Sequence, residues 1–197
     1  MLRSYINRSV PPILVLLLVV GIHYSITYGV LEPTRRFLLP PPHSIIYEGF
    51  FVPKHRDEIF RGLLLTTKVS LIGLGIAYLI GFFTALLMSQ AKWIERSLYP
   101  WAVFTQTVPI LALVPTIGFW FGFDIQARII VVVIISIFPI VINTLTGLNG
   151  ASRNLHDLFT LHKASRWTRA TKLMIPFALP DMFTGLRTSA GLAIIGS

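Results

Sequence analysis

Long apolar runs limit what this chain can fold into. Four of them, at 13–30, 63–88, 101–121 and 129–148, are close to twenty residues long or longer. A run of that length crosses the hydrocarbon core of a bilayer as a helix, because a helix satisfies its own backbone hydrogen bonds there. Charged residues make up only 13% of the chain, whereas a soluble domain carries about 25%. The sequence therefore predicts an all-α, multi-pass membrane protein.

The first two segments are divided by a proline-rich stretch. Residues 1–30 are predicted to form an N-terminal span that is not cleaved, because no small-residue cleavage site follows it; a signal peptide is the alternative. Residues 31–62 are predicted to form an extracytoplasmic connection. Its LLPPPHS stretch (38–44) cannot continue a helix, and the mixed sequence after it predicts short interfacial helices.

Residues 63–197 are predicted to form the core. Its second run contains Gly73, Gly75 and Gly81, which suit close helix approach. Lys68 in the same run either reaches the outer interface with its flexible stem or attracts an anionic solute. A fifth span begins near Met182 and ends after about sixteen residues, fewer than the roughly twenty needed to cross. We expect about five spans, the fifth truncated and further C-terminal spans missing.

The distribution of cations predicts the orientation. The formal charge is +9, but the basic residues are spread over short loops, which does not indicate nucleic-acid binding. The outer connection offsets its five cations with four acids. Since cytoplasmic loops carry an excess of Lys and Arg, the amino terminus is predicted to lie inside a bacterial or archaeal cell membrane. The inner cations are Arg3, Arg8, Lys92, Arg96, Arg153, Lys163, Arg166, Arg169, Lys172 and Arg187.

Several classes of function are excluded by what the sequence lacks. It has no cysteine, no Walker A motif, no HExxH motif and no Ser/His/Asp set, and its acids fall in loops or at span boundaries. Coupled carriers usually place an acid near the midplane. His23 stands alone in the first run and is interpreted as a packed or interfacial residue rather than a catalyst. We therefore expect no enzyme, no directly bound cofactor and no coupling ion, so the energy for transport must come from a partner.

The third run contains two prolines. Pro109 and Pro115 free backbone carbonyls that lipid cannot satisfy, and Gln106 and Thr107 lie beside them. Either this helix lines a pathway or it is a kinked structural helix. Asn143 in the fourth run is predicted to form an interhelical hydrogen bond first and to contact solute second. The full set of predicted pathway residues is Gln106, Thr107, Pro109, Asn143, Thr184 and Thr188.

The segment 157–180, DLFTLHKASRWTRATKLMIPFALP, is the most cationic part of the chain. Its apolar residues recur at three- and four-residue spacing, which predicts an amphipathic stripe. Such a segment lies on a bilayer or inserts into the groove of a soluble partner. The stripe consists of Leu155, Leu158, Phe159, Leu161, Ala164, Trp167 and Ala170.

This segment resembles the cytoplasmic loop of the permease subunits of binding-protein-dependent ABC importers. That loop carries an acid and two alanines, a glycine four positions after the second alanine, and an Ile-x-Leu-Pro ending. On this chain Asp157 takes the acid position, Leu158 and Phe159 the alanines, and Lys163 the glycine. Ala164, Ser165, Arg166 and Trp167 follow, and Leu173, Ile175 and Pro176 complete the motif.

The resemblance extends over about residues 38–197, through QTVPILALVPTIGFWFGF and FPIVINTLTGL, to the nitrate, sulfonate and taurine branch. That branch includes importers of thiamine and riboflavin precursors. The resemblance implies a type I importer fold and a coupling loop (152–180) that docks on a cytoplasmic ATPase. It also implies ATP bound by that ATPase, an extracytoplasmic substrate-binding protein and a permease homodimer. A membrane scaffold whose basic cytoplasmic loop binds anionic lipid or a structural partner is the alternative.

Two departures bear on the loop. Bulky residues replace the alanines, and Lys163 stands where the family has glycine. A lysine adopts the left-handed conformation at a cost that glycine does not incur. The turn is therefore either right-handed and more nearly helical, or its geometry differs from that of the family.

Overall fold

A computed structural model describes the backbone of residues 2–197 and the side chains of 10–110 and 112–197. Throughout that range the ordered elements are helices, with no strand. The all-α prediction is confirmed. The side chains of Arg3 and Arg8, two of the cations used to predict orientation, lie outside the described side chains.

The chain divides into two compact units, residues 1–63 and 64–197. The first contains helix α1 (Leu2–Ser25), which continues as a π-helical turn over Ile26–Val30. A 3-10 helix (Pro33–Leu38), helix α2 (Pro42–Ile46) and a π turn (Tyr47–Phe51) follow. The chain leaves helical geometry between Leu38 and Pro42, as the proline-rich stretch predicts.

The end of α1 is held by side-chain hydrogen bonds to the residues after it. The Thr27 hydroxyl, which is fully buried, lies 3.0 Å from the Leu39 carbonyl oxygen, and His23 Nε2 lies 2.9 Å from the Pro40 oxygen. The Tyr24 hydroxyl contacts His43 Nδ1 at 2.7 Å. His23 is thus a packed residue that caps an otherwise free carbonyl.

Helix α3 (Pro53–Gln90) runs across the division between the units. The second unit continues with α4 (Lys92–Thr107), α5 (Ile110–Phe121) and α6 (Ile125–Asn149). Two short helices, α7 (Arg153–Leu161) and α8 (Arg166–Arg169), form the loop. A π turn over Ala170–Met174 joins α8 to the last helix, α9 (Ile175–Gly196).

Three described helical segments, Val10–Val30, Pro53–Gln90 and Ile125–Asn149, are long and apolar enough to cross a membrane. They correspond to the first, second and fourth predicted spans. The third is interrupted: the axes of Lys92–Thr107 and Ala112–Phe121 differ by 103°. If that bent pair counts as one span the total is four, so five spans are only loosely supported.

Small residues bring α3 and α9 close to α6. A Cβ on Gly147 would lie 2.8 Å from the Ala178 Cα, and one on Gly185 would lie 2.9 Å from the Pro139 oxygen. Gly73 and Gly81 on α3 similarly admit Val132 and Ile140 of α6. The backbones can approach this closely only because no side chain intervenes. The prediction for Gly73 and Gly81 is confirmed, whereas Gly75 faces open space.

Hydroxyl groups add bonds between these helices. Ser189 donates to the Ser136 oxygen at 2.7 Å, Ser136 donates back to the Ser189 oxygen at 3.4 Å, and Ser70 of α3 donates to the Ala193 oxygen at 3.2 Å. These serines are buried. Helices α6 and α9 therefore form a closely packed antiparallel pair whose linker is the loop.

Several predicted boundaries are wrong. The stretch 91–100, which separates the second and third predicted spans, is helical from Lys92, and only Ala91 is extended. The sequence after Pro53, expected to form a short helix, is continuous with the second span because nothing after that proline interrupts the helix. Helix α9 begins at Ile175, because Pro176 lies in its first turn, where a missing N–H costs nothing.

Candidate functional site

The candidate site is the α7–α8 loop, and a specific turn shapes it. The Ala164 N–H donates to the Phe159 oxygen and the Lys163 N–H donates to the Thr160 oxygen, each at 2.9 Å. This pair of bonds is a Schellman motif, in which the residue after the C-cap adopts the left-handed conformation. That residue is Lys163, whose φ is 51°.

Lys163 therefore adopts the left-handed conformation that glycine adopts freely. The alternative of a right-handed, more nearly helical turn is wrong. A non-glycine residue in this region costs about 1–2 kcal/mol, and the two hydrogen bonds offset part of that cost. The geometry follows from satisfying the carbonyl groups at the end of α7, a requirement that is the same for either residue.

The second helix of the loop starts at a side-chain cap. The Ser165 hydroxyl accepts the Thr168 N–H at 3.1 Å, an arrangement typical of helix N-caps. Arg169 Nη2 then donates to the Thr160 hydroxyl at 2.9 Å and ties α8 to α7. The turn, the cap and this cross-link fix the two short helices relative to each other.

Large apolar side chains project from the loop into solvent. Leu161 is 80% exposed and Trp167 is 72% exposed, and Leu155 and Leu158 are also exposed. The predicted single stripe is not formed as one surface, because the chain breaks helical geometry between His162 and Ser165. Ala170, the last member of the stripe, is buried in the core. We call Leu158, Leu161 and Trp167 the loop apolar surface.

Beside this surface lies a polar cavity of about 590 Å³. Cations outnumber acids on its walls, and among the described side chains Asp157 forms no ion pair. A carboxylate left without an internal partner is available to a cation on another molecule. The charged and polar lining includes Gln90, Arg153, His156, Asp157, Arg166 and Arg169. The structure thus brings the predicted Asp157 and Arg166 together at one cavity.

The loop is anchored to the helices behind it. Ala170 and Met174 pack in one buried cluster with Leu145 and Leu148 of α6 and Met88 of α3. Pro176 lies at the start of α9. A displacement of α8 therefore acts directly on the closely packed α6–α9 pair, because tightly packed interiors transmit strain.

The predicted pathway residues lie on different helices and do not form one group. Gln106, Thr107 and Pro109 lie at the exposed break between α4 and α5. Thr184 and Thr188 are exposed on α9, where each hydroxyl donates to a carbonyl of its own helix. Their role in a pathway stays a prediction.

Asn143 does not form the expected interhelical hydrogen bond. Its amide donates to the Pro139 oxygen of the same helix at 2.7 Å. The residue nevertheless lies at the α6–α9 contact, because a Cβ on Gly185 would be 3.0 Å from the Asn143 Cβ.

A second cavity, of about 410 Å³, was not predicted from the sequence. It lies at the other end of the α6–α9 pair, where Gly196 approaches Val132. Its walls are mainly apolar, with one cation. The lining residues are Val114, Gly118, Phe123, Ala127, Arg128, Val131, Gly196 and Ser197.

Comparison with known proteins gives a consistent set of relatives. Residues 77–197, more than half of the chain, match the family described as binding-protein-dependent transport system inner membrane component. The formylaminopyrimidine transport permease protein ThiX of Halalkalibacterium halodurans is 34% identical over 161 residues, which cover 82% of this chain and 64% of that protein.

Two further relatives differ in the solute they are named for. The riboflavin transport system permease protein RibX of Chloroflexus aurantiacus is 28% identical over 94% of this chain and 68% of its own length. A putative aliphatic sulfonates transport permease protein, SsuC of Bacillus subtilis, is 32% identical over 85% of this chain and 59% of its own. The chain thus spans roughly 60–70% of the length of these relatives.

Proposed function

Because this chain belongs to the family of binding-protein-dependent transport system inner membrane components, we propose that it is the permease subunit of an ABC importer. Its substrate is a small anionic or heterocyclic solute, in keeping with relatives named for aliphatic sulfonates, nitrate, riboflavin and formylaminopyrimidine. The ATP would be bound by a separate cytoplasmic ATPase, and the solute delivered by an extracytoplasmic binding protein. Two permease copies would enclose the pathway.

The observation that carries this proposal is the construction of the α7–α8 loop. Its Schellman turn falls at the position where the family has glycine, its apolar surface is exposed, and Asp157 forms no ion pair among the described side chains. An exposed apolar surface of this kind is typical of an interaction site. A groove on the ATPase would bury Leu161 and Trp167 and pair a cation with Asp157.

The proposed coupling follows from the anchorage of the loop. Movement of the docked ATPase would displace α8, and Ala170 and Met174 would carry that displacement into α6 and α9. Since those helices are held by close backbone contacts, we expect them to tilt together and to change access to the pathway. With the amino terminus inside, as the distribution of cations predicts, the loop would lie on the ATPase side.

The test is co-purification of the chain with its ATPase from a membrane extract. Asp157→Arg combined with Trp167→Glu should abolish association, because it reverses one charge and places another in the apolar surface. The matched control is Asp157→Glu combined with Trp167→Phe. It keeps the negative charge and the aromatic side chain, and it should retain association. If the disruptive pair still associates and supports ATP-dependent uptake, the loop does not dock the ATPase.

The exposed leucine and tryptophan beside Arg166 also favour a membrane scaffold whose loop binds anionic lipid. That alternative predicts a different result in a flotation assay, with the loop as a soluble peptide and vesicles containing phosphatidylglycerol. Vesicle binding lost in the disruptive pair, together with unchanged ATPase association, would support the scaffold.

A further inference from the structure

Helix α9 carries an arginine at the middle of the membrane-spanning length of its partner helix. The contacts of Gly185 and Ser189 with α6 place Arg187, which lies between them, at the depth of residues 136–139. Those residues are the middle of the apolar run 129–148 of α6. Either end of that run is about 14 Å away along the helix axis. Arg187 therefore lies near the centre of the span.

The sequence did not predict this depth. It grouped Arg187 with the inner cations, because the fifth span was expected to begin near Met182. Helix α9 begins at Ile175, so Arg187 lies about three turns into the helix, and that grouping is wrong. Its side chain is exposed and forms no ion pair among the described side chains.

Helical periodicity divides the surface of α9 into three arcs. The arc packed against α6 is buried and consists of Ala178, Met182, Gly185, Ser189 and Ala193. An apolar arc consists of Leu179, Phe183, Ala190 and Ile194. The remaining arc, which we call the polar arc, consists of Asp181, Thr184, Arg187, Thr188 and Gly191.

Lipid is an unfavourable neighbour for the polar arc. The hydroxyls of Thr184 and Thr188 bond to carbonyls of their own helix, so lipid would tolerate them. Arg187 decides, because charged side chains at this depth almost always face a bundle interior or a water-filled cavity. An arginine near a helix end can reach the interface with its flexible stem, but Arg187 lies too far from either end for this.

A dry contact with a second copy is also unfavourable. Two copies inserted in the same direction are related by an axis along the membrane normal, so that Arg187 lies at one depth in both. Packing the two polar arcs together would bring like charges into a dry contact without a counter-charge. Asp181 stays about 9 Å from that depth along the helix axis. Water between the copies resolves this conflict.

We propose that the polar arc is a wall of the water-filled solute pathway, and that Arg187 forms a positive barrier at mid-depth that opposes the entry of small cations. This inference rests on the proposed function. An importer pathway must not admit sodium ions or protons, because the membrane potential acts on every charge that crosses. An arginine in a narrow pore repels cations in this way. The role does not depend on the solute, since a neutral solute meets no such barrier.

The absence of cysteine in the chain allows a test of the polar arc. Thr184→Cys places a thiol on this arc, and Phe183→Cys, at the same depth on the apolar arc, is the matched control. Each full chain is co-expressed with the ATPase, and its membranes are treated with the neutral reagent 2-hydroxyethyl methanethiosulfonate. Since only a thiolate reacts, and thiolates form in water, Thr184→Cys should react about tenfold faster or more. Similar rates would place the polar arc in lipid or in a dry contact, and would overturn the proposal.

The charge of Arg187 is tested with the same reporter thiol. The rate of the cationic reagent 2-(trimethylammonio)ethyl methanethiosulfonate at Thr184→Cys is divided by the rate of the neutral reagent. Adding Arg187→Gln should raise this ratio by about tenfold or more, because it removes a positive charge one turn from the thiol. Arg187→Lys keeps the charge and should keep the low ratio.

A distant cation provides the second control. Lys172→Gln removes an exposed charge near the loop and should change the ratio by about twofold or less, since salt screens exposed charges. An unchanged ratio in Arg187→Gln, or an equal rise in Lys172→Gln or Arg187→Lys, would refute the barrier at Arg187.

Co-purification of the ATPase from the same membranes separates this proposal from the proposed function. Loss of the ATPase from chains whose Thr184→Cys thiol still reacts rapidly would contradict the permease assignment but not the water-facing arc. Retention of the ATPase by chains whose thiol reacts as slowly as that of Phe183→Cys would contradict the inference drawn for α9 alone.

Discussion

The α6–α9 pair and the loop that joins its helices differ in the size and exposure of the side chains they carry. Along the pair, glycine and serine replace large residues and the helix backbones nearly touch. In the loop, leucine and tryptophan point into solvent from two short helices that bury little of their own surface. The helices of the pair are closely packed where they meet, whereas the loop is fixed in shape by its own hydrogen bonds and presents exposed apolar side chains. Substitutions in the pair should therefore change stability, and substitutions in the loop should change association.

The largest effect is expected at Gly147. Leucine at this position would place its Cβ 2.8 Å from the Ala178 backbone, and overpacking of this kind costs about 1–3 kcal/mol or more. Gly147→Leu should lower the yield of folded protein and its thermal unfolding midpoint in detergent. The matched control is Gly75→Leu on α3, which faces open space and should leave the midpoint within error. Equal midpoints for the two variants would mean that α6 and α9 are not closely packed.

A smaller loss is expected from Ser189→Ala. This change removes the 2.7 Å hydrogen bond to the Ser136 oxygen, and such interhelical bonds contribute about 0.6 kcal/mol on average and up to about 1.7. Unfolding by denaturant in detergent measures the difference. Ser97→Ala provides the control, because the Ser97 hydroxyl bonds only to its own helix at the Trp93 oxygen. If Ser189→Ala lowers the free energy of unfolding no more than the control does, the serine pair does not stabilise the contact between the helices.

At Lys163 a substitution is expected to increase stability. Glycine adopts φ near 51° without steric cost, so Lys163→Gly should stabilise the turn by about 1 kcal/mol. Hydrogen exchange of the Lys163 and Ala164 amides should slow accordingly. The same replacement at exposed, helical Lys172 should destabilise the chain by about 0.5–1 kcal/mol. Faster exchange in Lys163→Gly would show that the left-handed turn is not formed in solution.

The smallest change in stability is expected at Trp167. It is 72% exposed, and surface substitutions of this kind usually stay within about 0.5 kcal/mol. Trp167→Ala should therefore leave the unfolding midpoint unchanged while weakening ATPase association. Leu179→Ala, on a half-exposed apolar position of α9 outside the loop, should leave association intact. A marked loss of stability in Trp167→Ala would mean that the tryptophan packs within the chain.

The sequence predicted the structure correctly where a single physical requirement determines the backbone conformation. Apolar length predicted the helices containing 13–30, 63–88 and 129–148, because an unbroken apolar run in a bilayer must be helical. The spacing of glycines predicted two of three close contacts on α3. It failed for Gly75, since helical periodicity places this residue away from the face that carries Gly73 and Gly81, and the choice of packed face depends on α6.

Sequence reasoning failed at prolines that are compatible with two different local structures. Pro109 was interpreted as an irregularity within one span, but it ends α4 and begins a helix at 103° to it. Pro176 was interpreted as part of a loop, but it lies in the first turn of α9. Proline tolerates a helix start and opposes a helix interior, and only the neighbouring elements decide between the two.

The sequence by itself determined the helical, membrane-embedded class of the protein and the place of the 157–180 motif, because apolar length and motif spacing are properties of the chain alone. The tertiary structure decided the grouping of Asp157 with Arg166 at one cavity, because that depends on how α7 and α8 lie against each other. The left-handed turn at Lys163 is a local feature that the sequence left open. It forms because the Phe159 and Thr160 carbonyl groups at the end of α7 accept hydrogen bonds that offset part of its cost.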